Sequence, residues 1–211
     1  LNHKRVMARK NKTVKKLVAG VKMKLEHYNV EVVNAEGYIQ GKTDDGFALK
    51  AGDTTYTGKN LLIATGSDSI IIPIEGMEAA IENGFAITNT EVLQLKEIPK
   101  QMVIIGGGVI GLEIATYFSI AGSKVTVIEM LDRIAGMTDT DISKILMKNY
   151  EKKGISFNLQ SKVIKFTGNS VAYEKDGETV EIPADKVLVS IGRRPMTQGI
   201  GIENIGVQLT E

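Results

Sequence analysis

The sequence predicts an α/β fold in which a parallel sheet carries helices on its faces. The first observation is that residues 102–129 have the pattern strand, glycine turn, helix, strand. The second is that these strands are short, continuous apolar runs, which is typical of strands buried on both faces. The third is another such run at residues 186–191, after several short strands. Together they predict a βαβαβ unit, a β-meander and a returning strand within residues 98–192.

Three glycines follow the first strand at G-x-G-x-x-G spacing: Gly106, Gly108 and Gly111. The first permits a tight turn, the second lets the backbone approach a pyrophosphate, and the third lets the helix pack closely on the strand. The helix expected over 109–121 then presents free N–H groups and its positive dipole end to phosphates. This pattern predicts a Rossmann-like dinucleotide site, and the alternative is a purely structural turn.

Glu129 lies at the carboxyl end of the second strand, 124–128, eighteen residues past Gly111. A carboxylate at this position accepts hydrogen bonds from both ribose hydroxyls and repels a phosphate on the ribose. Arg133 lies four positions beyond, not at or just after the acid. The expected cofactor is therefore NAD(H) rather than NADP(H).

The composition is that of an ordinary globular protein. The 211 residues are 43% hydrophobic and 24% charged, and their net charge of +1 gives no reason to expect nucleic acid or a membrane as partner. The absence of cysteine excludes disulfides, thiolate nucleophiles and cysteine metal sites. His3 and His27, the only histidines, are expected on the surface, and no metal site is predicted. With no signal-peptide pattern at the start, we expect a cytoplasmic protein.

The amino-terminal part predicts a helix over 4–28, strands at 30–39, 47–50 and 54–57, and a buried strand at 61–65. The helix combines basic residues with an apolar stripe, which consists of Val14, Leu17, Val18, Val21, Leu25 and Tyr28. A basic amphipathic helix can bind nucleic acid or a membrane surface. No aromatic residues alternate with the lysines. We therefore favour an ordinary amphipathic helix, in which the basic face is exposed to solvent and the apolar stripe packs on the core.

The connector 67–100 is expected to hold a short helix at 90–95. The helix predicted over 141–153 should direct Ile142, Ile145, Leu146 and Tyr150 inward and stop at Gly154. Short strands follow near 155–159, 162–167, 170–174 and 179–182, with a turn at Asp176 and Gly177.

Four motifs occur in a characteristic order: ATGS at 64–67, GGGVIGLE at 106–113, VIEMLDRI at 127–134 and VSIGRRP at 189–195. The ordered set resembles the pyridine nucleotide–disulfide oxidoreductases over essentially the whole chain. The resemblance implies a flavoprotein homodimer that passes electrons from a dithiol through a redox disulfide and FAD to NAD⁺. It is greatest to the branch that oxidises dihydrolipoamide, and Val109 stands where glutathione reductases carry a tyrosine. For that branch it implies a lipoyl-bearing acyltransferase of a 2-oxoacid dehydrogenase or glycine cleavage complex as partner.

The family plan also implies the domain organisation. Residues 1–97 correspond to part of an FAD-binding domain, 98–192 to the NAD-binding domain, and 193–211 to a segment returning to the FAD domain. The redox cysteines and first FAD glycine turn would precede Leu1, and the interface domain would follow Glu211. The chain is therefore expected to be an interior piece of an enzyme, with no catalytic residue of its own, little or no bound FAD, and a tendency to self-associate.

The resemblance assigns site residues position by position. The NAD set is Gly106, Gly107, Gly108, Val109, Ile110, Gly111, Glu113, Glu129, Val163 and Gly192, and the FAD-side set is Gly37, Thr65 and Gly66. Glu113 would lie near the nicotinamide amide and pair with a lysine beside the redox cysteines, or would simply be an acid favoured by the helix dipole. Val163 would bring its backbone to the adenine, or be an ordinary strand residue. Arg193 would face the cofactor cleft or bridge the two domains.

Two classes of function remain open. One is a flavoenzyme of this family, where NADH oxidases, coenzyme A disulfide reductases and mercuric reductases share the same middle segment. The other is a non-catalytic NAD-binding module that senses or scaffolds. A C-x-x-x-x-C pair before Leu1 would favour the first class, and its absence from the gene would favour the second.

Overall fold

The computed structural model describes residues 1–210, so Glu211, the last residue of the predicted return segment, lies outside it. The chain forms two compact units. Unit 1 contains Leu1–Asn11 and Ser69–Arg193, and unit 2 contains Lys12–Asp68 and the described residues from Arg194 onward. In chain order the elements are α1 (His3–His27), β1 (Gly37–Thr43), β2 (Gly46–Ala51), β3 (Thr54–Gly58), β4 (Ser67–Ser69), α2 (Met77–Glu82), β5 (Ala86–Ile87), α3 (Asn89–Val92), β6 (Gln101–Ile105), α4 (Val109–Ala121), β7 (Lys124–Ile128), α5 (Thr140–Lys152), β8 (Ser156–Asn158), β9 (Lys162–Phe166), β10 (Ser170–Lys175), β11 (Glu178–Pro183), β12 (Lys186–Val189), β13 (Arg193–Pro195) and a 3₁₀ helix (Ile202–Ile205).

Unit 1 is built on a five-stranded sheet of order β5-β12-β6-β7-β8 in which every paired strand is parallel. Alternate residues of its strands enter two different cores. Val103 and Ile105 belong to the core that also contains the meander and α2, whereas Met102 and Ile104 belong to the core beneath α4. Burial of both faces explains why these strands are continuous apolar runs. The predicted α/β fold is confirmed.

The meander forms a separate antiparallel sheet with β10 between β9 and β11. Asp176 and Gly177 turn the chain between β10 and β11, both at positive φ (52° and 81°), as a two-residue hairpin turn of this kind requires. Unit 2 contains the sheet β1-β2-β3, and the 3₁₀ helix packs beside β1, where the Asn204 side chain donates to the Ile39 carbonyl at 2.7 Å.

The elements around the glycine turn agree with the predicted bounds to within one residue, because local signals define both ends. Helix α4 runs from Val109 to Ala121 and ends at Gly122, whose φ of 107° lies in the left-handed region. Strand β7 covers exactly the predicted residues 124–128. Helix α5 begins after Asp139, whose side chain accepts from the Asp141 N–H at 2.9 Å, and Gly154 follows its end at φ 84°.

Two strand predictions in unit 2 were wrong. Residues 30–36 have no strand, and β1 begins at Gly37 instead. Residues 61–65 also have no strand, and Leu62 is 87% exposed. An apolar segment forms a stable strand only beside a pairing partner, and no strand among residues 1–210 pairs with either segment.

The inward face predicted for α1 was also wrong, and the one predicted for α5 was only partly right. No residue of α1 is buried, and Leu17 and Val18 of its stripe are 64% and 63% exposed. In α5, Tyr150 packs against the core beneath α4 and Leu146 is half-buried, but Ile142 and Ile145 are exposed. Ser143 is buried instead and donates to the Ile134 carbonyl at 2.7 Å. A 3–4 spacing identifies an apolar stripe, but the neighbouring elements determine which side of a helix is covered.

His3 lies on α1 and is half-buried, so it is less exposed than the surface position that was predicted. Its Nε2 lies 2.8 Å from the Leu95 carbonyl, and its Nδ1 lies 2.7 Å from the Tyr117 hydroxyl. Since a carbonyl only accepts, Nε2 carries the proton. These bonds fix the first turn of α1 to unit 1.

The connector contains more structure than predicted. Its short helix is α3, Asn89–Val92, rather than 90–95, and α2 and β5 precede it. The two residues of β5 pair with β12 and form an edge of the parallel sheet. The range 98–192 therefore lies inside unit 1, whose second segment begins at Ser69.

Candidate functional site

A cavity of about 720 Å³ lies in unit 1 at the carboxyl edge of the parallel sheet. Gly106 directly follows β6, Glu129 directly follows β7, Gly192 and Arg193 come after β12, and Asn89 comes after β5. In open α/β sheets, the crevice outside the carboxyl ends of the strands is where ligands bind. The predicted glycine turn and the predicted acid are thus brought together at one cavity.

Close packing requires glycine at two positions of the glycine turn. Gly106 has φ 104°, and a Cβ there would overlap the carbonyl oxygen of Ser190. A Cβ on Gly111 would overlap the carbonyl oxygen of Gly106 and lie 3.2 Å from the Ile104 side chain. These positions fit the predicted tight turn and the predicted close approach of helix to strand.

Gly108 differs from its two neighbours. Its backbone is extended (φ −75°, ψ 179°), and a Cβ would meet no atom within 4 Å. Packing inside the protein therefore does not require glycine here. The open space lies at the cavity wall and leaves room for a ligand to approach the backbone.

The amino-terminal end of α4 faces the same cavity, because Val109 and Ile110, its first two residues, line it. The N–H groups of a first helical turn have no partner within the helix, and the helix dipole adds positive potential. Gly108, at the N-cap, has no side chain to cap them. This end of the cavity is suited to a phosphate group.

The Glu129 carboxylate is held by two backbone groups. Its Oε2 accepts from the Gly107 N–H at 2.6 Å, and its Oε1 accepts from the Leu131 N–H at 2.8 Å. Each oxygen keeps a further acceptor site. The carboxylate thus joins the glycine turn to the end of β7 and can still accept two hydroxyl donors. Arg133 donates to the Thr140 hydroxyl at 2.8 Å, at the start of α5.

Of the remaining residues of the predicted NAD set, some line the cavity and others do not. Val163, which is buried on β9, and Gly192, with φ 143°, both line the cavity. Gly107 is buried behind the turn and contributes its N–H to Glu129. Glu113 is exposed on α4 and does not belong to the cavity lining.

The predicted FAD-side residues lie in unit 2. Thr65 donates its hydroxyl to the Met196 carbonyl at 2.5 Å, and the Met196 N–H donates to the Gly66 carbonyl at 3.0 Å. Gly66 has φ 77° with open space where a Cβ would stand. Gly37 instead starts β1 and lies against Leu49. Thr65 and Gly66 are therefore both hydrogen-bonded to Met196 of the predicted return segment.

Sequence reasoning missed Ser69 and Asn89 among the polar residues at the cavity, and it left the place of Arg193 undecided. Asn89 Oδ1 accepts from the Ser69 hydroxyl at 2.7 Å and from Arg193 Nη1 at 3.1 Å, and all three residues line the cavity. Arg193 therefore reaches the cavity. No motif marked Ser69 or Asn89, since they belong to the connector, and only the pairing of β5 with β12 brings them here.

Within residues 1–210, no group of three His, Cys, Asp or Glu side chains is arranged to hold a metal ion. None of the helices in this range is both long and apolar enough to cross a membrane.

Comparisons with known proteins agree with this geometry. The family model for pyridine nucleotide-disulphide oxidoreductases matches residues 2–211. The chain is 40% identical to a dihydrolipoamide dehydrogenase of Chaetomium thermophilum, covering 100% of this chain and 43% of the relative. It is 38% identical to a dihydrolipoyl dehydrogenase of Acholeplasma laidlawii, covering 97% of this chain and 59% of that relative.

A solved structure has a similar fold over the whole of this chain. The Cu(II) complex of the HOCl-induced flavoprotein disulfide reductase RclA from Escherichia coli matches with a TM-score of 0.87 at 26% identity, over 100% of this chain and 47% of that one. The chain thus spans about half the length of the relatives that it matches. It belongs to the pyridine nucleotide-disulphide oxidoreductase family.

Proposed function

We propose that this chain is the NAD(H)-binding part of a flavoenzyme of the dihydrolipoyl dehydrogenase type. The observation that carries the proposal is the Glu129 carboxylate, which is fixed to the glycine turn at the carboxyl-edge cavity. The curated relatives at 40% and 38% identity support the choice of branch.

The proposed binding mode follows the strand ends. Glu129 accepts the hydroxyls of the adenosine ribose, and the pyrophosphate lies over Gly108 against the first turn of α4. Val163 lies beside the adenine through its backbone, and Gly192 borders the other half of the cofactor. For Glu113 the proposed place beside the nicotinamide depends on a lysine that the resemblance puts outside this chain.

The proposed domains are part of an FAD-binding domain at 1–97, the NAD-binding domain at 98–192 and a return segment at 193–211. Thr65 and Gly66, with Gly37, are proposed for the flavin side. In the parent enzyme, bound FAD and NAD⁺ would supply the two-electron oxidation of dihydrolipoamide to lipoamide, with NADH and one proton as the other products. The residues of this chain orient the dinucleotide for that transfer and do not touch the dithiol.

The further parts of the proposal concern the parent protein. We infer a homodimer that serves the lipoyl-bearing acyltransferase of a 2-oxoacid dehydrogenase or glycine cleavage complex, located in the cytoplasm. Sedimentation of the parent tests the dimer, and co-purification with the acyltransferase tests the partner.

The decisive experiment assays the intact parent for NAD⁺-dependent oxidation of dihydrolipoamide, with Glu129→Ala as the site variant. We expect activity in the parent and a raised KM for NAD⁺ in the variant. A parent that lacks a C-x-x-x-x-C pair and any such activity, but still binds NADH, would instead be a non-catalytic NAD-binding module.

A further inference from the structure

The cavity has a polar end that the glycine turn and Glu129 do not explain. Along the carboxyl edge, the strand ends follow the order β7, β6, β12, β5. If the adenosine ribose lies at β7 and the phosphates at β6, the other half of the dinucleotide lies over β12 and β5, where Asn89 is found. Three steps of about 4.8 Å separate β7 from β5, or ~14 Å in all.

Arg193 determines how the Asn89 amide is oriented. A guanidinium has donors but no acceptor, so the atom of Asn89 that faces Arg193 Nη1 at 3.1 Å must be Oδ1. The Ser69 hydroxyl donates to the same oxygen at 2.7 Å. With Oδ1 engaged twice, the NH₂ group of Asn89 is the part of the amide left to donate outward, and Asn89 lines the cavity.

We propose that Asn89 is a positioning residue for the nicotinamide half of the cofactor, whose carboxamide oxygen accepts from Asn89 Nδ2. Ser69 and Arg193 act through Asn89 by fixing the orientation of its amide. This inference rests on the proposed NAD(H) function and extends it to a residue outside the glycine motif. The ligand group that it specifies is a carbonyl acceptor on the half of the dinucleotide remote from adenosine.

The test compares NADH with ADP-ribose, which retains the adenosine, pyrophosphate and second ribose but lacks nicotinamide. Asn89→Asp is the informative variant, because a carboxylate still accepts from Ser69 and Arg193 but has no N–H to donate. We expect Asn89→Asp and Asn89→Ala to bind NADH about five- to tenfold more weakly in calorimetric titrations and to bind ADP-ribose within twofold of the unmodified chain. Asn169→Ala, in the turn between β9 and β10, is the matched control and should change neither affinity.

The outcomes separate the two proposals. Unchanged NADH affinity in both Asn89 variants overturns the role of Asn89, and so does an equal loss for NADH and ADP-ribose. If the unmodified chain binds neither ligand, the proposed NAD(H) function itself fails and the inference falls with it.

Discussion

Replacing Gly111 with alanine tests whether the close contact between α4 and β6 requires glycine. The new Cβ would overlap the Gly106 carbonyl oxygen and lie 3.2 Å from the Ile104 side chain. Gly106 cannot retreat easily, because its N–H donates to the Ile128 carbonyl at 2.9 Å. Helix α4 must therefore move away from the sheet and loosen the packing of its other buried residues, Leu112, Ala115 and Phe118.

The expected size of the effect combines two opposing contributions. Forcing an extra methyl into a packed site costs about 1–3 kcal/mol, whereas alanine gains about 0.8–1.0 kcal/mol over glycine in helix propensity. We expect a net loss of up to about 2 kcal/mol, which would lower a urea midpoint by up to roughly 1 M at an m value of about 2 kcal/mol/M. Unfolding is followed by far-ultraviolet circular dichroism, with hydrogen exchange of α4 as a local readout.

Gly20→Ala is the matched control, because Gly20 lies in α1 and a Cβ there would meet no atom within 4 Å. It should show the propensity gain without the steric cost, so its stability should rise by up to about 1 kcal/mol. A Gly111→Ala chain that gains as much stability as the Gly20→Ala chain would refute the claim that this glycine is required by packing.

The remaining predictions concern the turn, a helix cap and the flavin. The Gly108→Ala chain should fold normally, because the new Cβ enters open space, but it should bind NADH at least about tenfold more weakly in calorimetry. An unchanged affinity for NADH would show that the phosphates do not bind against Gly108. The Thr88 hydroxyl, which donates to Glu91 at 2.6 Å, holds the pKa of Glu91 below its usual 4.5, so this stabilisation is present above pH 4.5 and is lost as the pH falls through the lowered pKa. Thr88→Ala should cost about 1 kcal/mol at neutral pH and return the pKa of Glu91 towards 4.5 in an NMR titration, and an unmoved pKa would contradict this cause. The purified chain should show little or no flavin absorbance, and stoichiometric flavin would contradict the assignment of the main FAD contacts to segments that the resemblance puts outside this chain.

The sequence predicted the elements around the glycine turn because local chemistry defines them. The apolar runs of β6 and β7, the glycine spacing and Gly122 all act within a few residues of each boundary. Glu129 could be predicted for the same reason, as it directly follows β7.

Predictions failed where a distant segment determines the structure. The segment 61–65 has the composition of a buried strand, but no described strand pairs with it. The two residues of β5 carry too little periodicity to be recognised, yet they bring Asn89 to the cavity. The side of α5 that is covered depends on its neighbours, so that Ser143 is buried while Ile142 is exposed.

The central claim is that Glu129 and the glycine turn form an NAD(H) site, and calorimetric titration of the chain with NADH and NADPH tests it most directly. A 2′-phosphate would lie against a carboxylate that cannot turn away without breaking its bonds to Gly107 and Leu131. Like charges ~4 Å apart cost on the order of 4 kcal/mol at an effective dielectric constant of about 20, and salt should leave roughly 1.5–3 kcal/mol. We therefore predict that NADH binds about ten- to hundredfold more tightly than NADPH. Equal or tighter binding of NADPH, or no binding of NADH, would contradict the account.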